Sequence, residues 1–175
     1  MAATQEIVVA AGCFWCVEHA YHGVEGVTDT KCGYMGGEID NPTYEQVSAG
    51  GSGHREVVKI WFDAAVISLE TILEIYWQNV DPFDGDGQFC DRGFQYSPAI
   101  YVDDTQRDMV LASKGAVDKI KETAVTIEPL STFYAAENYH QLYFEENPFR
   151  YKFYRYSCGR DARLNDVRAI YQEYG

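Results

Sequence analysis

Apolar and polar residues alternate in blocks along this chain, and the period of the alternation changes from block to block. An apolar run from Ile7 to Ala11 predicts a short buried strand over Gln5–Ala11. Val17, Ala20 and Tyr21 then recur at helical spacing and predict a helix over Phe14–His22. Val27–Tyr34 reads as a second strand. Gly36-Gly37 and Asn41-Pro42 mark a loop over Gly36–Pro42, after which Thr43 can cap a short helix, Tyr44–Ala49. His54–Phe62 alternates strongly, placing His54, Glu56, Val58, Ile60 and Phe62 on one strand face. Ser68 caps a helix with Leu69, Ile72, Leu73, Tyr76 and Trp77 on one stripe. A long loop, Asp81–Tyr96, precedes a strand (Ala99–Val102), a helix (Thr105–Lys121), a strand (Val125–Pro129) and a helix (Ala136–Phe144). From Asn147 the sequence turns aromatic and basic, then polar, which reads as an irregular tail with a last helix over Asn165–Tyr174.

Interleaved helices and strands without repeats or linkers predict a sheet covered by helices, an α/β (α+β) fold. At 175 residues the chain is most simply one catalytic domain over 1–175, with a core at about 5–148 and a tail at 149–175. The net charge of -13 argues against nucleic acid or an anionic membrane surface as partner. Met1–Glu6 lacks a basic start and no stretch approaches membrane-spanning length, so the expected location is cytoplasmic.

Five cysteines, at 13, 16, 32, 90 and 158, are an odd number in a chain large enough to need no stapling. Thiol chemistry or metal binding is the expectation rather than a disulfide framework. Cys32 reads as a small buried hydrophobe in a strand. Cys13 sits where a strand gives way to a helix, and helix N-terminal amides favour a thiolate there. Phe14 and Trp15 would wall an apolar pocket beside it. The rival reading is an inert buried thiol.

Cys16 lies one turn on, facing the same way. Together they form a Cys-x-x-Cys pair, suited to dithiol exchange. Cys13, Cys16, His19 and His22 are all spaced by three, but one short helix cannot readily wrap four ligands around a zinc ion.

Glu56, on the core side of its strand, would have its pKa raised by desolvation and become a proton donor near neutrality. If the strand only begins there, the carboxylate is instead solvated. The loop Gly87–Tyr96 is long, aromatic and charged, with Asp91 and Tyr96 as its suspect polar groups. Tyr44 offers another hydroxyl. Cys158, before Gly159 in the tail, is either a thiol able to swing onto another sulfur or a bystander.

These segments together resemble the A-type peptide-methionine sulfoxide reductases. The resemblance rests on Gly12-Cys13-Phe14-Trp15, Gly33-Tyr34-Met35-Gly36-Gly37, Asn41–Val47, Gly53-His54-Arg55-Glu56, Asp91–Tyr96, Glu137–Gln141 and Asn147-Pro148. It implies a two-layer sandwich with a mixed sheet and a ferredoxin-like core. It implies reduction of the S epimer of methionine sulfoxide, free or protein-bound, by a monomer that needs no metal or organic cofactor. Cys13 would be the catalytic cysteine, and Phe14 and Trp15 the methyl pocket. Glu56 would be the acid, with Tyr44 and Tyr96 hydrogen-bonding the sulfoxide oxygen and Asp91 ordering the site. A sulfenic acid on Cys13 would condense with a second thiol, and thioredoxin or a similar dithiol would reduce the disulfide.

Two departures bear on that second thiol. Cys16 stands where many members carry glycine or another residue, and the tail holds one cysteine where many hold two. Tail mobility and family habit favour Cys158 as the resolving cysteine, with Cys16, or a relay through both, as the alternative. A general Cys-x-x-Cys dithiol–disulfide oxidoreductase is the rival function, and a methionine-recognising binding module a second rival.

Overall fold

A computed structural model describes residues 4–175. In it the first apolar run forms β1 (Thr4–Ala10), followed by α1 (Phe14–Tyr21) and β2 (Val27–Met35). The short helix α2 (Tyr44–Ser48) starts at a full capping box, in which the Thr43 hydroxyl accepts from the Gln46 amide and the Gln46 side chain accepts from the Thr43 amide. Next come β3 (Arg55–Asp63) and α3 (Leu69–Asn79), the latter capped by the Ser68 hydroxyl accepting from Thr71 N. The long loop carries a two-residue hairpin of β4 (Gly87–Gln88) and β5 (Asp91–Arg92) and a 3-10 turn at Phe94–Tyr96. Then follow β6 (Ala99–Val102), α4 (Arg107–Asp118), β7 (Thr126–Pro129) and β8 (Tyr134–Ala135). Three helices end the chain: α5 (Tyr143–Glu146), α6 (Pro148–Cys158) and α7 (Arg160–Tyr174).

The sheet runs β7-β6-β1-β3-β2-β8, antiparallel throughout except for the parallel β6–β7 pair. Its four central strands, with α1 and α3 as the connecting helices, give the β-α-β-β-α-β order of a ferredoxin-like core. The mixed two-layer arrangement is therefore as the resemblance implied.

The alternation in β3 decides what each face buries. Val58, Ile60 and Phe62 point toward the helices and join Ile7, Val9, Val17, Tyr21, Ile72, Leu73 and Tyr76 in the main core. Each fully buried side chain of this size contributes roughly 1.5–3 kcal/mol. The opposite face buries Val8, Ala10, Met35, Val57, Ala99 and Tyr101 under Leu130 and Phe133. Arg55 lies on that second face, stacked on Phe94 and bonded to Ser97 Oγ and the Tyr101 hydroxyl, so its buried charge is fully engaged.

Two sequence expectations need correction. Ala136–Phe144 is not one helix: Tyr134–Ala135 pairs with β2, residues 138–140 make a 3-10 turn, and Leu142 adopts a left-handed conformation at φ 52. Side chains in this stretch are bound to β2, which overrides its helical spacing. Gln141 accepts from Cys32 N and donates to Cys32 O, extending the sheet edge like an added strand. Buried Glu18 fixes the turn from the other side, accepting from Leu142 N at 2.7 Å and from the Thr30 hydroxyl.

The tail is not irregular either. Pro148 opens α6 at a position where its missing N–H costs nothing, and Gly159, left-handed at φ 76, separates α6 from α7. Tyr151, Leu164 and Val167 are buried, and Arg160 donates to Ala11 O and Asn79 O, tying α7 to the ends of β1 and α3. The packing face of α6 is made of tyrosines with bonded hydroxyls, so no aliphatic stripe announces it. Among the described residues, no helix is long and apolar enough to cross a membrane.

Candidate active site

The turn after β1 depends on Gly12. Its φ is +84, and a Cβ there would lie 2.6 Å from Gln88 Cβ. The chain then enters α1 with Cys13 as the N-cap residue, its carbonyl accepting from Cys16 N and Val17 N. This places Cys13, Phe14 and Trp15 on the floor of a cavity of about 170 Å³. Glu56 enters from the start of β3 and Tyr44 from α2. Asp91, Tyr96 and Tyr154 close the sides from the long loop and α6.

Glu56 is only 3% exposed. Its Oε1 accepts from the Phe14 amide at 3.2 Å, the first free N–H of α1. Burial is the largest influence on the carboxyl and raises its pKa, the Phe14 amide opposes it, and the Asp91 charge raises it further, to about 8. Glu56 is therefore protonated at neutrality, able to give its proton into the cavity. The sequence alternative of a solvated Glu56 does not hold, because α1 covers the start of β3.

The same geometry changes the expectation for Cys13. The helix-end amide that was to favour its thiolate is taken by Glu56. Burial, then the adjacent Cys16 sulfur, holds the Cys13 thiol up. Cys16 moves the other way: it accepts from the Cys13 thiol, and Arg160, Arg155 and the Tyr151 hydroxyl favour its anion. The two thiols are thus pushed in opposite directions, Cys13 up and Cys16 down. Both residues are secluded, at 7% and 1% exposure.

Tyr44 and Tyr96 both line the cavity. Burial, aided by Glu56, pushes Tyr44 up to about 12 and Tyr96 higher still, so both remain proton donors. Trp15 is held on two sides: its Nε1–H donates to His140 Nδ1 at 3.0 Å, and its ring stacks on Tyr143 at 3.8 Å. Burial lowers the His140 pKa, keeping the imidazole neutral and Nδ1 free to accept. Glu137 supports the same wall, accepting from the Tyr34 hydroxyl and from Tyr44 N.

Every residue proposed from the sequence for substrate contact thus meets at one cavity. His140 and Tyr154 went unrecognised there. His140 lay inside a stretch read as a plain helix, and Tyr154 was one of many tyrosines in a tail read as irregular. Tyr154 O–H donates to Asp91 and stands edge-on to Trp15.

Cys158 is where expectation and structure part. It ends a packed helix, not a mobile segment, and it is disulfide-bonded to Cys90. Cys13, Cys16 and Cys32 are the free cysteines. His19 and His22 do not join a metal cluster with the two thiols: His19 bonds the Tyr151 hydroxyl, and His22 pairs with Glu145.

Comparison with known proteins agrees with this geometry. A model of the family described as "Peptide methionine sulfoxide reductase" matches residues 5–170. The chain is 45% identical over 167 residues to peptide methionine sulfoxide reductase MsrA 2 of Caulobacter vibrioides, covering 94% of this chain and 85% of that protein. Among solved structures, reduced Mxr1 from Saccharomyces cerevisiae superposes with a TM-score of 0.76 at 31% identity, covering 83% of this chain and 86% of that one. Mxr1 in complex with Trx2 shares the fold at a TM-score of 0.51 and 21% identity, covering 80% and 84%. With the cysteine, acid and hydroxyls gathered at one cavity and the match spanning nearly the whole sequence, the chain belongs to the peptide methionine sulfoxide reductase family.

Proposed function

We propose that this cavity reduces the S epimer of methionine sulfoxide, free or protein-bound, to methionine. The observation that carries the reading is a buried Glu56, its pKa raised by burial, and Cys13 lining one cavity of about 170 Å³ beside an aromatic wall. A sulfoxide oxygen leaves only if it gains a proton, so an acid must accompany the nucleophile.

The steps balance within the groups present. Cys13 Sγ attacks the substrate sulfur while its proton passes to the Cys16 thiolate. Glu56 protonates the sulfoxide oxygen, with Tyr44 and Tyr96 donating hydrogen bonds to it as negative charge develops. Phe14 and Trp15 hold the methyl group, and Asp91 orders the polar side. Collapse of the S–S(OH) intermediate releases methionine and leaves a sulfenic acid on Cys13. The Cys16 sulfur then attacks that acid, its proton leaves with the hydroxyl as water, and a Cys13–Cys16 disulfide forms. Glu56 regains its proton from solvent.

Assigning the resolving step to Cys16 replaces the preference for Cys158. The support is the packing of Cys13 and Cys16, both free, in one buried cluster a helical turn apart, and the engagement of Cys158 with Cys90. A dithiol protein of the thioredoxin type then reduces the pair, entering at Cys13, the more exposed sulfur. Mxr1 in complex with Trx2 supports that choice of reductant. The cavity is complete within one chain, which supports action as a monomer, and dependence on a reducing partner makes the cytoplasm the proposed location.

The acid and hydroxyls gathered around Cys13 argue against the general dithiol oxidoreductase, which needs neither Glu56 nor Tyr44 for thiol–disulfide exchange. The test is methionine formation from separated S and R epimers with thioredoxin as reductant. Turnover of S alone, abolished in Cys13→Ser, is expected. Efficient reduction of insulin disulfides with no sulfoxide turnover would overturn the reading.

A further inference from the structure

The Cys90–Cys158 disulfide joins two walls of the cavity, the hairpin of the long loop and the end of α6. Cys90 sits in the turn between β4 and β5, next to Asp91, and Cys158 ends α6, one turn after Tyr154. The Cys90 amide donates to Cys158 Sγ at 3.1 Å, and the Tyr154 hydroxyl lies 3.8 Å from the same sulfur. That hydroxyl donates to Asp91 Oδ2 inside the cavity. One covalent bond and two hydrogen bonds, side by side, thus lock the hairpin to the helix. Nearby, Arg160 stacks on Phe89 and favours the Asp91 carboxylate without bonding it.

Resting on the reading above, we propose that Tyr154 is a positioning residue of the sulfoxide pocket, acting through Asp91, and that the Cys90–Cys158 disulfide is the tether that holds it there. Asp91 has burial raising its pKa and the Tyr154 hydrogen bond opposing that rise. A charged Asp91 in turn helps keep Glu56 protonated. Loss of Tyr154 O–H therefore lowers the Glu56 pKa on two counts: Asp91 loses its donor and gains a proton more readily, and the hairpin carrying it is freer to move away.

Other groups face this pair and stay fixed in the test. Cys13 and Cys16 approach Glu56 from α1, Tyr44 from α2 and Tyr96 from the 3-10 turn. From β2, Cys32 and Tyr34 feel its charge. Arg160 faces Asp91 from α7.

The tether is also a redox element. Cys90 is exposed, so a dithiol can open the bond, giving two thiols here and one disulfide on the reductant. The pocket would then be firmest when oxidants prevail, which is when methionine sulfoxide accumulates.

The experiment compares wild type, Tyr154→Phe, the Cys90→Ser/Cys158→Ser pair and the triple variant, with folding checked by circular dichroism. With the tether formed, Tyr154→Phe should lower the second-order single-turnover rate on the S epimer, measured without added dithiol, roughly tenfold, the loss typical of a hydrogen bond to a charged group. It should also move the alkaline limb of the pH profile to lower pH. The double serine variant should shift both in the same direction, and adding Tyr154→Phe to it should cost less than it does in wild type. Fully reduced wild type, given sulfoxide and no external reductant, should form one methionine per chain and keep Cys90 and Cys158 as thiols. An unmoved pH limb in Tyr154→Phe would overturn the positioning role. Full additivity would overturn the tether. Two methionines per chain would make Cys90 and Cys158 a relay instead. Failure of the underlying reading looks different: wild type itself would not reduce the S epimer, or Cys13→Ser would.

Discussion

The Phe14 amide donates to Glu56 Oε1 across 3.2 Å, joining the first turn of α1 to the start of β3. One bond aims the carboxyl at the cavity and takes the helix-end amide away from Cys13. It makes Glu56 a fixed part of the fold and, on the mechanism proposed above, leaves activation of Cys13 to Cys16.

Glu56→Gln should keep the fold, because the amide oxygen can still accept from Phe14 N–H. It removes the proton. Single-turnover methionine formation should fall roughly 100- to 10,000-fold, the usual contribution of a positioned acid, with little change in sulfoxide affinity. Rapid-quench measurement of the first turnover checks this.

Glu56 also carries a stability signature. Its pKa in the folded protein, about 8, lies above the ordinary carboxylate value. A group raised on folding supports stability fully below its unfolded pKa and loses that contribution as pH rises through the folded one. Between about pH 4.5 and 8, wild type should therefore lose stability relative to Glu56→Gln. Urea unfolding of both across that window should show the two curves diverging toward alkaline pH, with Glu56→Gln the more stable at the upper end.

Cys16→Ser should reduce one sulfoxide per chain, more slowly than wild type because the acceptor of the Cys13 proton is gone, and then stop. Its Cys13 would persist as a sulfenic acid, detectable as one added oxygen by intact mass and by reaction with dimedone. Cys158→Ser should sustain turnover with thioredoxin. Peptide mapping of wild type after a single turnover should recover a Cys13–Cys16 bridge.

His140→Ala removes the acceptor of the Trp15 indole N–H and part of the aromatic packing behind it. The methyl wall loosens while Cys13 and Glu56 stay in place. The KM for sulfoxide should rise several-fold, roughly the 1–2 kcal/mol of a lost buried hydrogen bond, with a smaller fall in kcat. Steady-state kinetics on the S epimer separate the two.

Much of this was legible in the residues. The switch of period at Ala11, the alternation through β3 and the caps at Thr43 and Ser68 placed β1, α1, β3, α2 and α3. The same alternation turned Glu56 inward. What stayed hidden depends on contacts distant in sequence. Gln141 completes the backbone pairing of Cys32, and no local pattern records that. The tyrosines of α6 pack through hydroxyls, so hydropathy reads them as a polar tail. The lowered pKa of Cys16 comes first from the neighbouring Cys13 thiol and then from Arg160 and Arg155, more than a hundred positions away, and the amide lost to Cys13 went to a strand 42 residues on.

The central claim is that buried, protonated Glu56 delivers the proton that lets Cys13 take the sulfoxide oxygen. The most direct test is the pH dependence of the single-turnover rate on the S epimer, measured for wild type and Glu56→Gln side by side. The account predicts an alkaline limb near the Glu56 pKa of about 8 in wild type and a slow, nearly flat profile in the variant over the same range. A variant with the wild-type rate and the same limb would contradict it.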